Sequence, residues 1–274
     1  MKGLKGSVVL IDFWTYSCVN CIRALPHLRE WNKKYSEKGL VIIGVHTPEF
    51  EFEKNLENVS RAVKNFGIEY PVVMDNDYQI WSLYSNQFWP RKFLINKDGQ
   101  IVYDHAGEGN YKETERQIQK ALLEIDPELK LPPPSDEEGS DGICYPVTPE
   151  TYLGAMRGRT GKTWSFKGLW KVYPEFIEHG ERKNNFEDYL ELNFEGTEVN
   201  LVMESLADQP VKIRLELDGK FLREVGVHEA KMYNLVLPAD MIPAATARGG
   251  RGQLKIFSKD QGLRAYAFTF GGCA

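Results

Sequence analysis

Val8-Val9-Leu10-Ile11-Asp12-Phe13-Trp14-Thr15-Tyr16-Ser17-Cys18-Val19-Asn20-Cys21 decides how the first half of this chain reads. Val8–Phe13 is apolar apart from Asp12, the pattern of a strand buried on both faces of a sheet. Beyond Cys21, the residues Ile22, Leu25, Leu28, Trp31 and Tyr35 recur at three- and four-residue spacing, the stripe of an amphipathic helix. The two cysteines therefore sit at a strand-to-helix turn. Free N–H groups and the positive end of the helix dipole favour thiolate on Cys18 there. Two intervening residues bring Cys21 within disulfide reach. With Cys18 exposed and Cys21 facing inward, one sulfur attacks and the other resolves.

The same alternation continues outward. Leu40–Val45 reads as a second buried strand; Leu56, Val59, Val63 and Phe66 as a helical stripe; Pro71–Met74 as a short strand. Phe93–Ile95 and Ile101–Tyr103 flank Asn96-Lys97-Asp98-Gly99, a hairpin turn, and Ile118, Ala121, Leu122 and Ile125 form a further helix. Residues 1–127 thus form an α/β domain. From Asp126 to Gly142 the pattern breaks into Pro132-Pro133-Pro134 and an acidic run, so 128–147 is an acidic, proline-rich linker. Over 148–274 the period becomes two: Leu190/Leu192/Phe194, Val199/Leu201/Met203, Val211/Ile213/Leu215/Leu217 and Leu254/Ile256 alternate with polar residues. This predicts an all-β, jelly-roll-like antiparallel sandwich.

Composition narrows the function classes. The 274 residues are 42% hydrophobic and 27% charged with net charge −5, which excludes a disordered chain and gives no footprint for nucleic acid. The longest apolar runs, Val8–Ile11 and Leu40–Ile43, fall far short of a membrane span, and no signal peptide is read at Met1–Gly6. A zinc site on Cys18 and Cys21 lacks a second ligand pair, so no metal is expected. Gly158-Arg159-Thr160-Gly161-Lys162-Thr163 is not a phosphate-binding loop: Met156 stands where its first glycine belongs, and no buried strand precedes it.

The flanks of the cysteine pair carry a resemblance. Asp12 six residues before Cys18, Phe13-Trp14, Pro26 five after Cys21, and Pro90 before Arg91-Lys92-Phe93-Leu94-Ile95 resemble the active-site segments of thioredoxins. More narrowly, His46-Thr47-Pro48-Glu49, Asn86-Gln87-Phe88-Trp89-Pro90, Gly107-Glu108-Gly109-Asn110-Tyr111, Thr148-Pro149-Glu150-Thr151-Tyr152-Leu153-Gly154 and Tyr266-Ala267-Phe268-Thr269-Phe270-Gly271 look like the soluble C-terminal region of DipZ-type proteins. The resemblance implies a thioredoxin-like fold followed by a carbohydrate-binding-module-like β-sandwich. It also implies an extracytoplasmic setting (periplasm or cell envelope), protein disulfide or dithiol substrates, a membrane electron donor of the CcdA/DsbD type, and a carbohydrate ligand on the sandwich. One departure is Ser17, where thioredoxins usually carry Trp directly before the first cysteine.

The expected activity is thiol–disulfide exchange, with no cofactor beyond a redox-active Cys18–Cys21 disulfide. Asp12, a carboxylate in an apolar strand, serves as the proton acceptor for Cys21. The resemblance makes Pro90 a cis-proline that leaves the Trp89 backbone free for an extended substrate. Trp14, Trp89 and Glu108 are the substrate-facing candidates. His46 either lines the site or caps a strand end. Thr15 with Cys18 makes the T-x-x-C of a thiol peroxidase, although Ile11 stands where that family has proline. Cys144 and Cys273 either close the β domain as a disulfide or are two free thiols. Trp164, Phe166, Trp170, Tyr173 and Phe176 either stack on sugar rings or fill the sandwich core. The competing reading of the chain is a carbohydrate- or protein-binding module with a structural CxxC.

Overall fold

A computed structural model describes residues 2–135, 146–158, 161, 163–241 and 250–272. It divides into two units, Met1–Gly139 and Ser140–Ala274. Cys144 and Cys273 lie outside the described residues.

The N-terminal unit is ordered β1 (Val8–Trp14), α1 (Val19–Tyr35), β2 (Leu40–His46), α2 (Leu56–Asn65), β3 (Val72–Met74), α3 (Gln79–Leu83), β4 (Arg91–Ile95), β5 (Ile101–Ala106) and α4 (Tyr111–Leu123). Its sheet runs β3-β2-β1-β4-β5. β1 is parallel to β2 and antiparallel to β4, so the central strand carries the residues that must be buried on both sides. Leu10 and Trp14 pack with Cys21, Leu25 and Leu28 of α1 and with Ile118 and Leu122 of α4. Val9, Ile11 and Phe13 pack on the other face with Val45, Phe93, Ile95 and the α3 pair Ile80 and Trp81. The two-residue period of the strand puts Asp12 on the same face as Leu10 and Trp14, the face that α1 covers.

At the hairpin between β4 and β5, the Asn96 side chain accepts from the amides of Asp98 and Gln100, and Gly99 takes the left-handed conformation, φ +84°. The stretch read as linker begins differently from expectation. Leu129 and Leu131 pack against the α1/α4 core, Gln119 donates to the Pro132 carbonyl at 2.7 Å, and the Ser135 amide donates to Glu115 at 2.8 Å. Two leucines and a buried carboxylate in need of donors hold this chain against the helices, despite the prolines that follow.

The C-terminal unit contains β6 (Thr151–Tyr152), β7 (Trp164–Lys167), β8 (Trp170–Val172), β9 (Ile177–His179), β10 (Asp188–Glu195), β11 (Glu198–Ser205), β12 (Val211–Leu217), β13 (Lys220–Val227), β14 (Lys231–Val236), β15 (Arg251–Ser258) and β16 (Leu263–Gly271). One sheet runs β13-β12-β15-β10-β7; the other runs β14-β11-β16-β9-β8, with β6 added to β16. Leu190, Leu192, Ile213, Leu215, Leu254 and Ile256 from the first sheet meet Val199, Leu201, Met203 and Phe268 from the second in one core. This is the sandwich that the alternating pattern predicts. Trp164 and Trp170 are buried in that core, so these two rings are not a sugar platform, and Phe166 packs against it part-buried. Tyr173 stacks on Phe176 at 4.8 Å between centroids, and Phe176 packs in turn against Tyr266 and under the Arg264 guanidinium.

Candidate active site

The C-terminal end of β1 delivers the chain into α1 through Thr15-Tyr16-Ser17, and Cys18 is the N-cap of that helix. Cys18 has extended backbone, so its side chain turns back over the first turn and its Sγ accepts the Cys21 amide at 3.3 Å. An unpaired helix N–H group therefore points at the sulfur, as thiolate stabilisation requires. Cys18 is half-buried, whereas Cys21 is only 1% exposed. Burial pushes the Cys21 thiol well above its ordinary value; Cys18 and the charge of Asp12 push the same way, and the Thr15 backbone pulls it partly back.

Asp12 is 1% exposed beneath this turn, and burial lifts its carboxyl from 3.8 to about 6, against the opposing pull of Lys92. Lys92 is also 1% exposed. It stands directly across from Asp12 in the β1/β4 register, with its Nζ 3.5 Å from Asp12 Oδ1. Neither atom has a hydrogen-bond partner among the described residues. They are buried, ion-paired neighbours rather than a tight salt bridge. The sequence reading found Asp12 and missed Lys92. Its only signal was a cation directly ahead of the apolar run Phe93–Ile95.

The loop before β4 closes the site from the other side. The Trp89–Pro90 peptide is cis, and the Trp89 carbonyl lies 3.9 Å from Cys18 Sγ. The Trp89 indole donates to the Thr47 carbonyl at 3.1 Å and packs on Trp81. Phe88, next to it, is exposed. The Pro90 carbonyl accepts from the Gly107 amide, which brings Glu108 alongside; Glu108 lies 3.6 Å from Arg23 of α1, with both side chains about one-third exposed. Trp89 and Pro90 are therefore gathered near Cys18, while Glu108 stands beside Arg23. Trp14 is not: it is fully buried, edge-on to His46, and backs the site instead of meeting a substrate. The period of β1 explains this, because Trp14 points toward the core on the same face as Leu10.

His46 is also fully buried, stacked on Tyr16 and 3.3 Å from the Thr15 hydroxyl. Burial depresses it to about 3, so it stays neutral and structural. A second acid that sequence reasoning missed, Glu53, accepts the Ser17 hydroxyl at 2.6 Å. It lies in a run of acidic residues after β2 that reads as solvated surface.

Comparisons with known proteins find relatives for both parts of the chain. A Redoxin family model matches residues 1–122, and a model described as Thioredoxin like C-terminal domain matches 158–271. Protein DipZ of Mycobacterium tuberculosis (strain CDC 1551 / Oshkosh) is 46% identical over 155 residues, 56% of this chain but only 22% of DipZ. Thiol-disulfide oxidoreductase ResA of Bacillus thuringiensis (strain Al Hakam) is 33% identical over 127 residues, 46% of this chain and 68% of ResA. Among solved structures, a thiol:disulfide interchange protein of the thioredoxin family from Chlorobium tepidum TLS is 24% identical with a TM-score of 0.40, covering 44% of this chain and 83% of that one. No helix among the described residues is long and apolar enough to cross a membrane. The chain belongs to the thioredoxin-like thiol–disulfide oxidoreductases, and among its relatives it is similar to DipZ-type proteins.

Proposed function

We propose that Cys18 and Cys21 are the redox pair through which this oxidoreductase exchanges disulfides with a protein partner. The observation that carries the reading is the contrast between the two sulfurs: Cys18 half-buried at a helix N-terminus, Cys21 buried behind it above Asp12. The Cys18 thiolate attacks one sulfur of the partner's disulfide. That S–S bond breaks, a mixed disulfide forms and the other partner sulfur leaves as thiolate. Asp12, held at about 6, takes the Cys21 proton. Cys21 then attacks Cys18 Sγ, closes the Cys18–Cys21 disulfide and releases the partner's second thiolate. Two electrons pass from the chain to the partner, and an upstream dithiol of the CcdA/DsbD type restores the pair.

Trp89 and Phe88 offer the apolar surface, and the Trp89 main chain the polar edge, for an extended substrate segment. Glu108 and Arg23 mark the rim. The β unit is assigned to recruiting partners, and an extracytoplasmic setting suits a disulfide reductant of this family. A carbohydrate ligand for the β unit gains nothing from Trp164 and Trp170, which are buried. Insulin reduction with dithiothreitol as donor tests the assignment. Wild-type protein accelerates turbidity, and Cys18→Ser falls to the uncatalysed rate. Full activity in Cys18→Ser would overturn it, and no acceleration by wild type would favour the binding-module reading.

A further inference from the structure

Ser17 and Glu53 are 36 residues apart in sequence, yet both are buried, at 1% and 0% exposure, and joined by a 2.6 Å hydrogen bond. Glu53 lies on the single 3-10 turn Glu51–Lys54 that follows β2. One carboxylate oxygen accepts the Ser17 hydroxyl; the other accepts the amides of Glu49 at 2.5 Å and Phe50 at 3.0 Å. A surface acid has no need of this. Three donors converge on one carboxylate that is shut away from water directly behind the residue preceding Cys18. The arrangement also accounts for the departure at position 17: a tryptophan there has no hydroxyl to give, and the buried carboxylate would lose a donor.

We propose that Glu53 is a positioning residue of the redox site, acting through Ser17 to anchor the turn that carries Cys18 and to set a negative charge behind the attacking sulfur. Such a charge disfavours the Cys18 thiolate relative to the disulfide, so it biases the pair toward giving up electrons. The inference rests on Cys18 being the nucleophile, as proposed above. Glu53 exchanges only a proton; the electrons pass between Cys18/Cys21, oxidised to a disulfide, and the partner disulfide, reduced to two thiols.

The groups that act on Glu53 come from two segments: the Thr15 and Ser17 hydroxyls on the turn after β1, and the Glu49 carboxylate and Phe50 amide ahead of its own turn. His46, bonded to Thr15, is kept neutral by burial and adds no charge near neutral pH. Burial, reinforced by Glu49, lifts the Glu53 carboxyl to about 7 against the pull of its hydrogen-bond donors. The charge behind Cys18 therefore rises and falls across the physiological range.

The test is the rate of iodoacetamide addition to Cys18, mapped by peptide mass, from pH 5 to 9 in wild type, Glu53→Gln and Ser17→Ala. Wild type is expected to show a lower step near pH 7 beside the thiol's own ionisation. Glu53→Gln abolishes that step, and its equilibrium constant for disulfide formation against glutathione falls about tenfold. Ser17→Ala keeps the step but moves it to higher pH, because the carboxylate has lost a stabilising donor; this variant decides the matter if Glu53→Gln does not fold. A Glu53→Gln profile that superimposes on wild type, or a Ser17→Ala step that does not move, overturns the proposal while insulin reduction persists. Failure of wild type to reduce insulin sinks the earlier reading instead.

Discussion

Asp12 and Lys92 show what one residue can and cannot say. An acid inside an apolar strand is legible from the sequence, because burial without a partner is costly and such a group is retained for chemistry or pairing. Its partner is not legible, since the Asp12–Lys92 contact depends on the register of β1 against β4, 80 residues away in sequence. The same holds for Ser17 and Glu53, brought together by the turn after β2. Lys92 is one of the influences that hold Asp12 down at about 6. Lys92→Met removes that pull, so the carboxyl rises and takes up protons at higher pH. The pH midpoint for closure of the Cys18–Cys21 disulfide is expected to move up by about one pH unit or more in single-turnover stopped-flow measurements. An unmoved midpoint would mean that Asp12 is not the acceptor.

Element by element, the strands and helices of the N-terminal unit follow their hydrophobic periods, and β1 and β2 stand where continuous apolar runs place them. Ile125, read into the last helix, lies exposed beyond the end of α4, and two further details escaped. Leu56, counted in the apolar stripe of α2, is exposed at the first turn, where the helix has not yet reached the core. Residues 129–135 read as solvated because prolines and acids dominate the composition, but Leu129, Leu131 and Ser135 find specific places on α1 and α4. Strand contacts also explain Gly44 on β2. A Cβ there would come within 3.0 Å of Trp14 Nε1 and 3.3 Å of both the Tyr70 ring and Val72. Gly44→Ala is expected to destabilise the unit by about 1–3 kcal/mol, read from urea denaturation followed by circular dichroism. It should also loosen Trp14, which backs the site. A variant as stable as wild type would show that this packing yields without cost.

Across the whole molecule, two units divide the labour: an α/β unit that carries a reactive turn and a β-sandwich whose aromatic residues are spent largely on its own interior. The change of period from continuous apolar runs to strict alternation announced this division. What a sandwich binds depends on its surface, and alternation says nothing about that. The central claim concerns the other unit: Cys18 attacks, and Cys21 resolves. Cys21→Ser mixed with a disulfide-bonded substrate peptide puts it to the test most directly, because the second step is then blocked. The account predicts a stable one-to-one mixed disulfide that tryptic mass mapping places on Cys18 and that Cys18→Ser does not form. No trapped adduct, or one carried by another cysteine, would contradict it.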